Sequence, residues 1–300
     1  MIKSGIVVIV GKTNVGKSSL FNCFFNRKVS IISSKPQTTR WNIKSIYHLE
    51  NKCTIGLIDT PGIHSSQNLL DDFINKQIKI GIKETEVILG LFDSSSPFDN
   101  NDELIVDLIN KSQNKKIIIC LTKIDLINKK QLNEKTNELK SKIKIQTKFP
   151  LFTFSVKNEN LKKPILAAIE NLLPNINQPF ITQEWTNSDD DTMIVREIIR
   201  ESCIKLLHNE ISFGLDIEIT EKKYNEKNNT FYIYANIIAE KQSHKKILIG
   251  KNGQKIKKIG VCTRNKILKI YDCKIYLNLF VKIRKNWRNN FFYLTNAGYK

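Results

Sequence analysis

The sequence is poor in the residues that build disulfide or metal frameworks. Six cysteines (Cys23, Cys53, Cys120, Cys203, Cys262 and Cys273) are scattered over 300 residues without a C-x-x-C pair, and the four histidines (His48, His64, His208 and His244) show no ligand spacing. No disulfide or zinc partner is therefore expected, and the cysteines read as free thiols of a reducing cytosol, most of them within apolar runs. Long hydrophobic runs are also missing. None approaches the ~20 residues needed to span a bilayer, and the first apolar stretch, Gly5–Val10, is too short for a secretory leader. A soluble, cytoplasmic chain is expected. Acidic side chains are scarce beside basic ones, 29 against 48, which leaves a formal charge of +19.

That excess points to a polyanionic partner only if it is localised. Lys, Ile and Asn dominate, a bias that an AT-rich genome gives any protein, so the total alone decides little. The distribution decides more. Residues 1–175 carry a net +10 and residues 176–240 a net −6, whereas residues 241–300 hold 16 basic side chains and one acidic, Asp272. Genome bias does not pile charge beside a negative segment. The tail reads as a surface for phosphate backbones.

In the first half, short β-branched runs (Ile6–Val10, Ile43–Leu49, Cys53–Ile58, Val87–Phe92, Lys116–Leu121, Leu151–Phe154) alternate with helical patterns near 17–26, 69–83, 101–113, 130–145 and 160–172. The second and third runs flank Glu50-Asn51-Lys52 as a hairpin. This alternation predicts an α/β domain, a mixed, mostly parallel sheet covered by helices, over 1–173. Residues 174–191, with two prolines and Asp189-Asp190-Asp191, lack a period and read as a linker. A smaller α+β domain is expected over 192–300. Its first helix spans about Met193 to His208 with Ile194, Ile198, Ile199, Cys203, Leu206 and Leu207 on one face. Strands at Leu215–Glu221, Thr230–Ala239 and Lys274–Ile283 follow, with a Gly-x-x-Gly turn at 250–253.

Gly11-Lys12-Thr13-Asn14-Val15-Gly16-Lys17-Ser18 matches the P-loop pattern, after an expected strand and before an expected helix. Its backbone N–H groups and the helix N-terminus suit phosphate oxygens. Lys17 would charge-pair with the β/γ oxygens and Ser18 would give a hydroxyl to Mg²⁺. Asp59-Thr60-Pro61-Gly62 ends a strand, where Asp59 can reach Mg²⁺ through water and the Gly62 N–H can meet the γ-phosphate. Between them lies a polar stretch with Thr38 and Thr39, a candidate switch. A threonine hydroxyl here can join Mg²⁺ only while the γ-phosphate is present, and Thr39 is favoured. Thr122-Lys123-Ile124-Asp125 follows another strand. A carboxylate here accepts the N1–H and N2–H₂ of guanine, which adenine does not offer. The usual first residue is Asn, so Thr122 is expected to weaken guanine affinity. Ser155-Val156-Lys157 completes the base pocket.

Many switch GTPases place a glutamine after Asp-x-x-Gly to orient the attacking water, but this chain has Ile63. No catalytic residue is therefore assigned, and slow intrinsic turnover resting on electrostatics and positioning is expected. Asn14 resembles the asparagine that coordinates K⁺ in some glutamine-less GTPases; a loop asparagine bonding its own backbone is the open alternative.

The segment Lys245–Gly260 has the form of a KH core, two helices meeting at a Gly-x-x-Gly turn that approaches a single-stranded backbone closely. Lys246, Ile249, Gly250, Lys251, Asn252, Gly253, Lys255, Lys257 and Lys258 are the candidate RNA contacts, over an apolar floor of Ile247, Ile249, Ile256 and Ile259. Of the tail aromatics (Tyr271, Tyr276, Phe280, Trp287, Phe291, Phe292, Tyr293), most fall on strand or helix faces, where core packing is expected more often than base stacking.

A P-loop domain followed by a KH module (type II) resembles the Era family of bacterial GTPases. The match rests on Gly11–Ser18, Pro36-Gln37-Thr38-Thr39-Arg40, Asp59–Gly62, Arg196-Glu197-Ile198-Ile199-Arg200-Glu201, Ile249–Gly260 and Ala297-Gly298-Tyr299. The resemblance implies a monomeric GTPase using GTP/GDP and Mg²⁺. It also implies binding to the 3′ region of small-subunit ribosomal RNA during maturation of the small subunit, and peripheral association with the inner face of the cell membrane. Two other readings stay open: an RNA-binding protein whose nucleotide site is degenerate, favoured by Thr122, and a tRNA-modification GTPase, which leaves the KH core unexplained.

Overall fold

The computed structural model describes residues 2–25, 39–49, 53–144, 149–177, 181, 191–207, 214–271 and 273–299. Two compact units emerge, residues 1–67 with 71–189, and residues 68–70 with 190–300. Thr38, most of the expected switch and the Glu50-Asn51-Lys52 turn lie outside the described residues.

In the first unit, the unbroken apolar run Ile6–Val10 of β1 (Ile2–Gly11) needs cover on both faces, and helices supply it while neighbouring strands pair its edges. β1 pairs in parallel with β3 (Cys53–Asp59) on one side and β4 (Val87–Asp93) on the other. β5 (Lys116–Thr122) and β6 (Leu151–Phe154) extend the parallel run, and β2 (Ile43–Leu49) closes the far edge antiparallel to β3. The order is β2-β3-β1-β4-β5-β6. Side-chain alternation along β1 divides the core in two. Val7 and Ile9 pack with Leu20, Phe21 and Phe24 of α1 (Lys17–Phe25) and Ile165, Leu166 and Ile169 of α5 (Lys162–Leu172). Ile6, Val8 and Val10 pack with Ile78 of α2 (Leu69–Lys83), Ile105 and Ile109 of α3 (Asn100–Lys111) and Leu139 of α4 (Lys129–Lys142).

One expectation changes at the linker. Asn175–Ile176 forms a short strand, β7, antiparallel to Ile2 and Lys3 of β1. The prolines and polar residues around it conceal a two-residue pairing that has too few side chains to show a period.

In the second unit, β8 (Leu215–Asn225), β9 (Thr230–Ala239) and β10 (Lys274–Ile283) form a three-stranded sheet, antiparallel between β8 and β9 and parallel between β9 and β10. Helices α6 (Asp191–Leu206), α7 (Gln242–Ile249) and α8 (Gln254–Ile267) supply the core on one face. Val195, Ile199, Leu248, Ile259 and Ile267 meet Ile217, Ile233, Ala235 and Ile237 there. The order α-β-β-α-α-β is that of a type II KH module. Ile194, placed on the buried face of α6 from its spacing, is exposed, and Val195 takes the core position. A C-terminal segment ending in α9 (Phe291–Asn296) adds buried Trp287, Tyr293 and Leu294.

Candidate nucleotide site and nucleic-acid interface

The loop after β1 turns because its residues allow it to. Gly16 has φ 105° and Asn14 φ 61°, the left-handed region that Gly adopts freely and Asn tolerates best among the rest. The Asn14 backbone therefore gives a local reason for an asparagine here, beside any role in holding an ion. A Cβ on Gly62 would lie 2.7 Å from the backbone N of Thr13, so only glycine lets the Asp-Thr-Pro-Gly segment close on the P-loop. The Ile63 N–H donates to the Gly11 carbonyl at 3.1 Å, and Thr60 donates to the Ile9 carbonyl at 2.7 Å, which ties the two motifs together.

Lys17 Nζ donates to the carbonyls of Gly11 (3.0 Å) and Lys12 (2.8 Å) and so lies across the mouth of the loop. Burial pushes its pKa down to about 8 against the pull of the Asp59 carboxylate. Ser18 Oγ donates to Asp59 Oδ2 at 2.7 Å and lies 3.3 Å from Thr39 Oγ1. Three hard oxygen donors on three segments thus converge beside the loop, a donor set that fits Mg²⁺. Lys12 differs from its loop neighbours. Its ammonium is drawn away to Asp99 (3.0 Å) and Asp102 (2.6 Å), the carboxylates of the capping box that starts α3, so it serves the loop through its backbone. Sequence reasoning missed this pair; the Asp-x-x-Asp cap before a helix was its only trace. Ile63 is buried among the core residues that include Ile105 and Phe92.

Thr122 holds a position that spacing alone did not reveal. Its hydroxyl lies 2.6 Å from the Val15 carbonyl and 3.2 Å from that of Phe92, so it fastens β5 to the P-loop. Lys123, at φ 57°, sends its ammonium to Asp93 Oδ2 at 2.6 Å. Asp125, with Ile124 in a short 3-10 turn, accepts from Ser155 Oγ at 2.6 Å and pairs with Lys157 Nζ at 3.0 Å. The Ser155 hydrogen bond, then Lys157, hold its carboxyl below the usual range. Lys157 N–H donates to Ser155 Oγ, and Val156 projects outward. The two base motifs thus meet at one carboxylate.

In the second unit the Gly-x-x-Gly turn is strained in the way the motif demands. Gly250 (φ 72°), Asn252 (φ 51°) and Gly253 (φ 74°) are all left-handed. A Cβ on Gly250 would strike Lys255 at 2.7 Å, whereas one on Gly253 would meet nothing within 4 Å. The backbone at Gly253 is open to an approaching chain. Lys246, Lys251, Lys257 and Lys258 are exposed around it, with Lys255 and Ile249 half-buried. Two of the four residues expected to floor the site sit elsewhere: Ile259 is wholly inside the core and Ile247 is exposed, because Leu248 is the residue that α7 turns inward.

A third cluster was not anticipated. Asp216, fully buried on β8, accepts from Arg196 at 2.8 and 2.9 Å, from Tyr293 Oη at 2.9 Å and from Tyr299 Oη at 3.1 Å. Burial and the Asp216 charge push the Tyr293 phenol upward, and despite burial the Asp216 charge holds the Arg196 guanidinium above its ordinary value. The six cysteines are free, with Cys53, Cys120 and Cys203 buried. No group of three His, Cys, Asp or Glu side chains placed to hold a metal occurs among the described residues, and none of their helices is long and apolar enough to cross a membrane.

The two units define a P-loop GTPase carrying a KH domain. A family model described as a 50S ribosome-binding GTPase matches residues 6–123, and a KH domain model matches residues 214–288. The chain is 40% identical over 301 residues to GTPase Era of Ureaplasma parvum serovar 3, covering 99% of this chain and 98% of that one. It is 36% identical to GTPase Era of Halothermothrix orenii, covering 99% of both. A crystal structure of Era with MgGDPNP and nucleotides 1506–1542 of 16S ribosomal RNA superposes with a TM-score of 0.91 at 31% identity, covering 100% and 99% of the two chains. A variant of Aquifex aeolicus Era bound to GDP.AlF4- gives 0.90 at 31% identity, covering 99% of each. The chain belongs to the Era family of GTPases, and it is a GTP hydrolase.

Proposed function

We propose that the chain binds the 3′ region of small-subunit ribosomal RNA through its KH module and couples GTP hydrolysis to assembly of the small subunit. The observation that carries this is the open, lysine-rimmed backbone at Gly253 in a chain that also holds a P-loop GTPase unit. The RNA-bound relative supports the choice of RNA.

In this reading residues 1–173 are the GTP-binding domain and 192–300 the RNA-binding domain. The P-loop backbone from Gly11 to Ser18 wraps the phosphates, and Lys17 neutralises the β/γ oxygens. Ser18 and Thr39 would hold Mg²⁺, with Asp59 reaching it through water. The ion supplies charge that offsets what builds on the phosphoryl oxygens. Gly62 offers its N–H to the γ-phosphate. Asp125 takes guanine, and Lys157 yields the carboxylate oxygen it now pairs with. Because Ile63 is buried in the core, water attacks the γ-phosphorus without a glutamine to orient it, and cleavage to GDP and phosphate is slow unless a partner or K⁺ at Asn14 adds charge. Hydrolysis that is equally fast in Na⁺ and K⁺ removes the Asn14 role. GTP-dependent ordering around Thr39 biases how RNA is held.

Crosslinking the chain to RNA in its own cells and sequencing what is attached tests the proposal. Small-subunit 3′ ends are expected; recovery of tRNA overturns it.

A further inference from the structure

The KH sheet has two faces, and the Gly-x-x-Gly turn uses only one. The odd-numbered residues of β9 and β10 face the helices, and the even-numbered ones face away. At one end the outer face is covered, since Asp216 and Ile238 are buried beneath the segment bearing Trp287, Tyr293 and Tyr299. Away from that cover the face is aromatic, its rings half-buried or exposed. Tyr232 pairs across the ladder with Tyr276, Tyr234 with Asn278, and Asn236 with Phe280. The Tyr276 ring centroid lies 5.4 Å from Tyr232 and 5.8 Å from Tyr234. Tyr276 is 46% exposed and Phe280 54%. Along edge strand β10 the outward sequence reads Lys274, Tyr276, Asn278, Phe280, Lys282, with both lysines exposed.

We propose that this outer face is a second RNA surface, on which unpaired bases stack on Tyr276 and Phe280 while Lys274 and Lys282 meet the flanking phosphates. Outward side chains on a strand recur about every 7 Å, so two rings separated by one Asn can each take one base of an extended strand. Rings on a sheet face stacking two or three bases is a physical solution that single-stranded RNA readers use, and it is tolerant of sequence because every base has a π-face. A protein partner fits less well. Protein interfaces deplete lysine, whereas here lysines bracket the rings within a 60-residue tail that carries 16 basic side chains and one acidic. The surface is chemically distinct from the Gly253 turn: stacking here, close backbone approach there.

The experiment is fluorescence anisotropy of the full chain with a 20-nucleotide alternating A/C single-stranded RNA, and with an RNA duplex of equal length. Replacing both rings (Tyr276→Ala with Phe280→Ala) is expected to weaken single-strand binding at least about tenfold, since each stacked base contributes about 5- to 150-fold. Duplex binding, whose bases are already stacked, stays within about twofold. Tyr276→Phe keeps the ring and the affinity. Lys274→Gln with Lys282→Gln lowers the slope of log K against log salt by about 1.4, two phosphates' worth for a single strand. Thermal unfolding of each variant verifies that the fold is intact. Ring variants that bind the single strand within twofold of the parent, while Gly253→Asp abolishes binding, overturn the second surface and leave the KH reading standing. If Gly253→Asp and the ring variants all bind like the parent, both readings fall.

Discussion

At residue 122 the chain carries Thr where this motif ordinarily has Asn, and the substitution suggested a weakened base site. The hydroxyl instead makes the 2.6 Å bond to the Val15 carbonyl, so the tie between β5 and the P-loop survives the loss of the amide. Thr122→Val, nearly isosteric, leaves that buried carbonyl unpaired at a cost of about 1–3 kcal/mol. GDP affinity measured by calorimetry is expected to fall between about five- and a hundredfold, and unchanged affinity refutes the tie. Lys17 supplies a second residue-scale test. With its pKa lowered to about 8 by burial, the ammonium is progressively neutral above that pH in the free protein. Bound phosphates favour the charged form, so binding takes up a proton there. GDP affinity should be level below pH 8 and fall about tenfold per unit above it. A flat profile to pH 9.5 means that Lys17 does not contact the phosphates. Neither effect was legible in the sequence, because a motif names residue types and not the carbonyl that each one meets.

The elements themselves were largely legible, for a physical reason. Short apolar or alternating runs bounded by polar turns mark strands, and β2, β6, β9 and β10 begin and end where the sequence pattern placed them. What was hidden lay where local pattern and tertiary partner part company. β8 extends past Glu221 to Asn225 because its bulge and exposed end need no apolar residues. Asp216 gave no signal, since a lone Asp in a strand reads as solvent-facing until Arg196, Tyr293 and Tyr299 are seen around it. Asp216→Ala strands a buried guanidinium and should cost about 3–5 kcal/mol, read as a lowered unfolding midpoint of the KH unit. Tyr299→Phe removes one bond to a charged group, about 1.5–3 kcal/mol. A loss below 1 kcal/mol for Asp216→Ala shows that the cluster is not a closed network. At the Gly-x-x-Gly turn, Gly253→Asp places a negative side chain in the open space at a left-handed position, while Gly253→Asn keeps the conformation without the charge. The first should abolish RNA binding and the second only reduce it; equal losses attribute the effect to backbone strain alone.

At the scale of the whole molecule the charge is divided by task. The basic excess of the last sixty residues belongs to the RNA module, and the buried pair of Lys12 with Asp102, with the half-buried pairs of Lys12 with Asp99 and Lys123 with Asp93, belongs to the nucleotide loops. Two variants separate the tasks. Lys17→Ala should eliminate nucleotide binding and leave RNA affinity within about threefold at fixed salt, whereas Gly253→Asp should reverse that outcome, with GTP hydrolysis retained. Loss of both functions in either variant contradicts the division into residues 1–173 and 192–300.

The Asp216 cluster also sets an order of events while the chain is being made. Tyr299 lies 83 residues beyond the carboxylate it closes on, so at ordinary rates of elongation Asp216 waits roughly 4–17 seconds for its last partner. During that interval the outer sheet face around Ile238 lacks its cover. The nucleotide unit, already synthesised, can fold as a unit of its own before then. A newly made chain is therefore able to load GTP before the Asp216 network of its KH unit is closed.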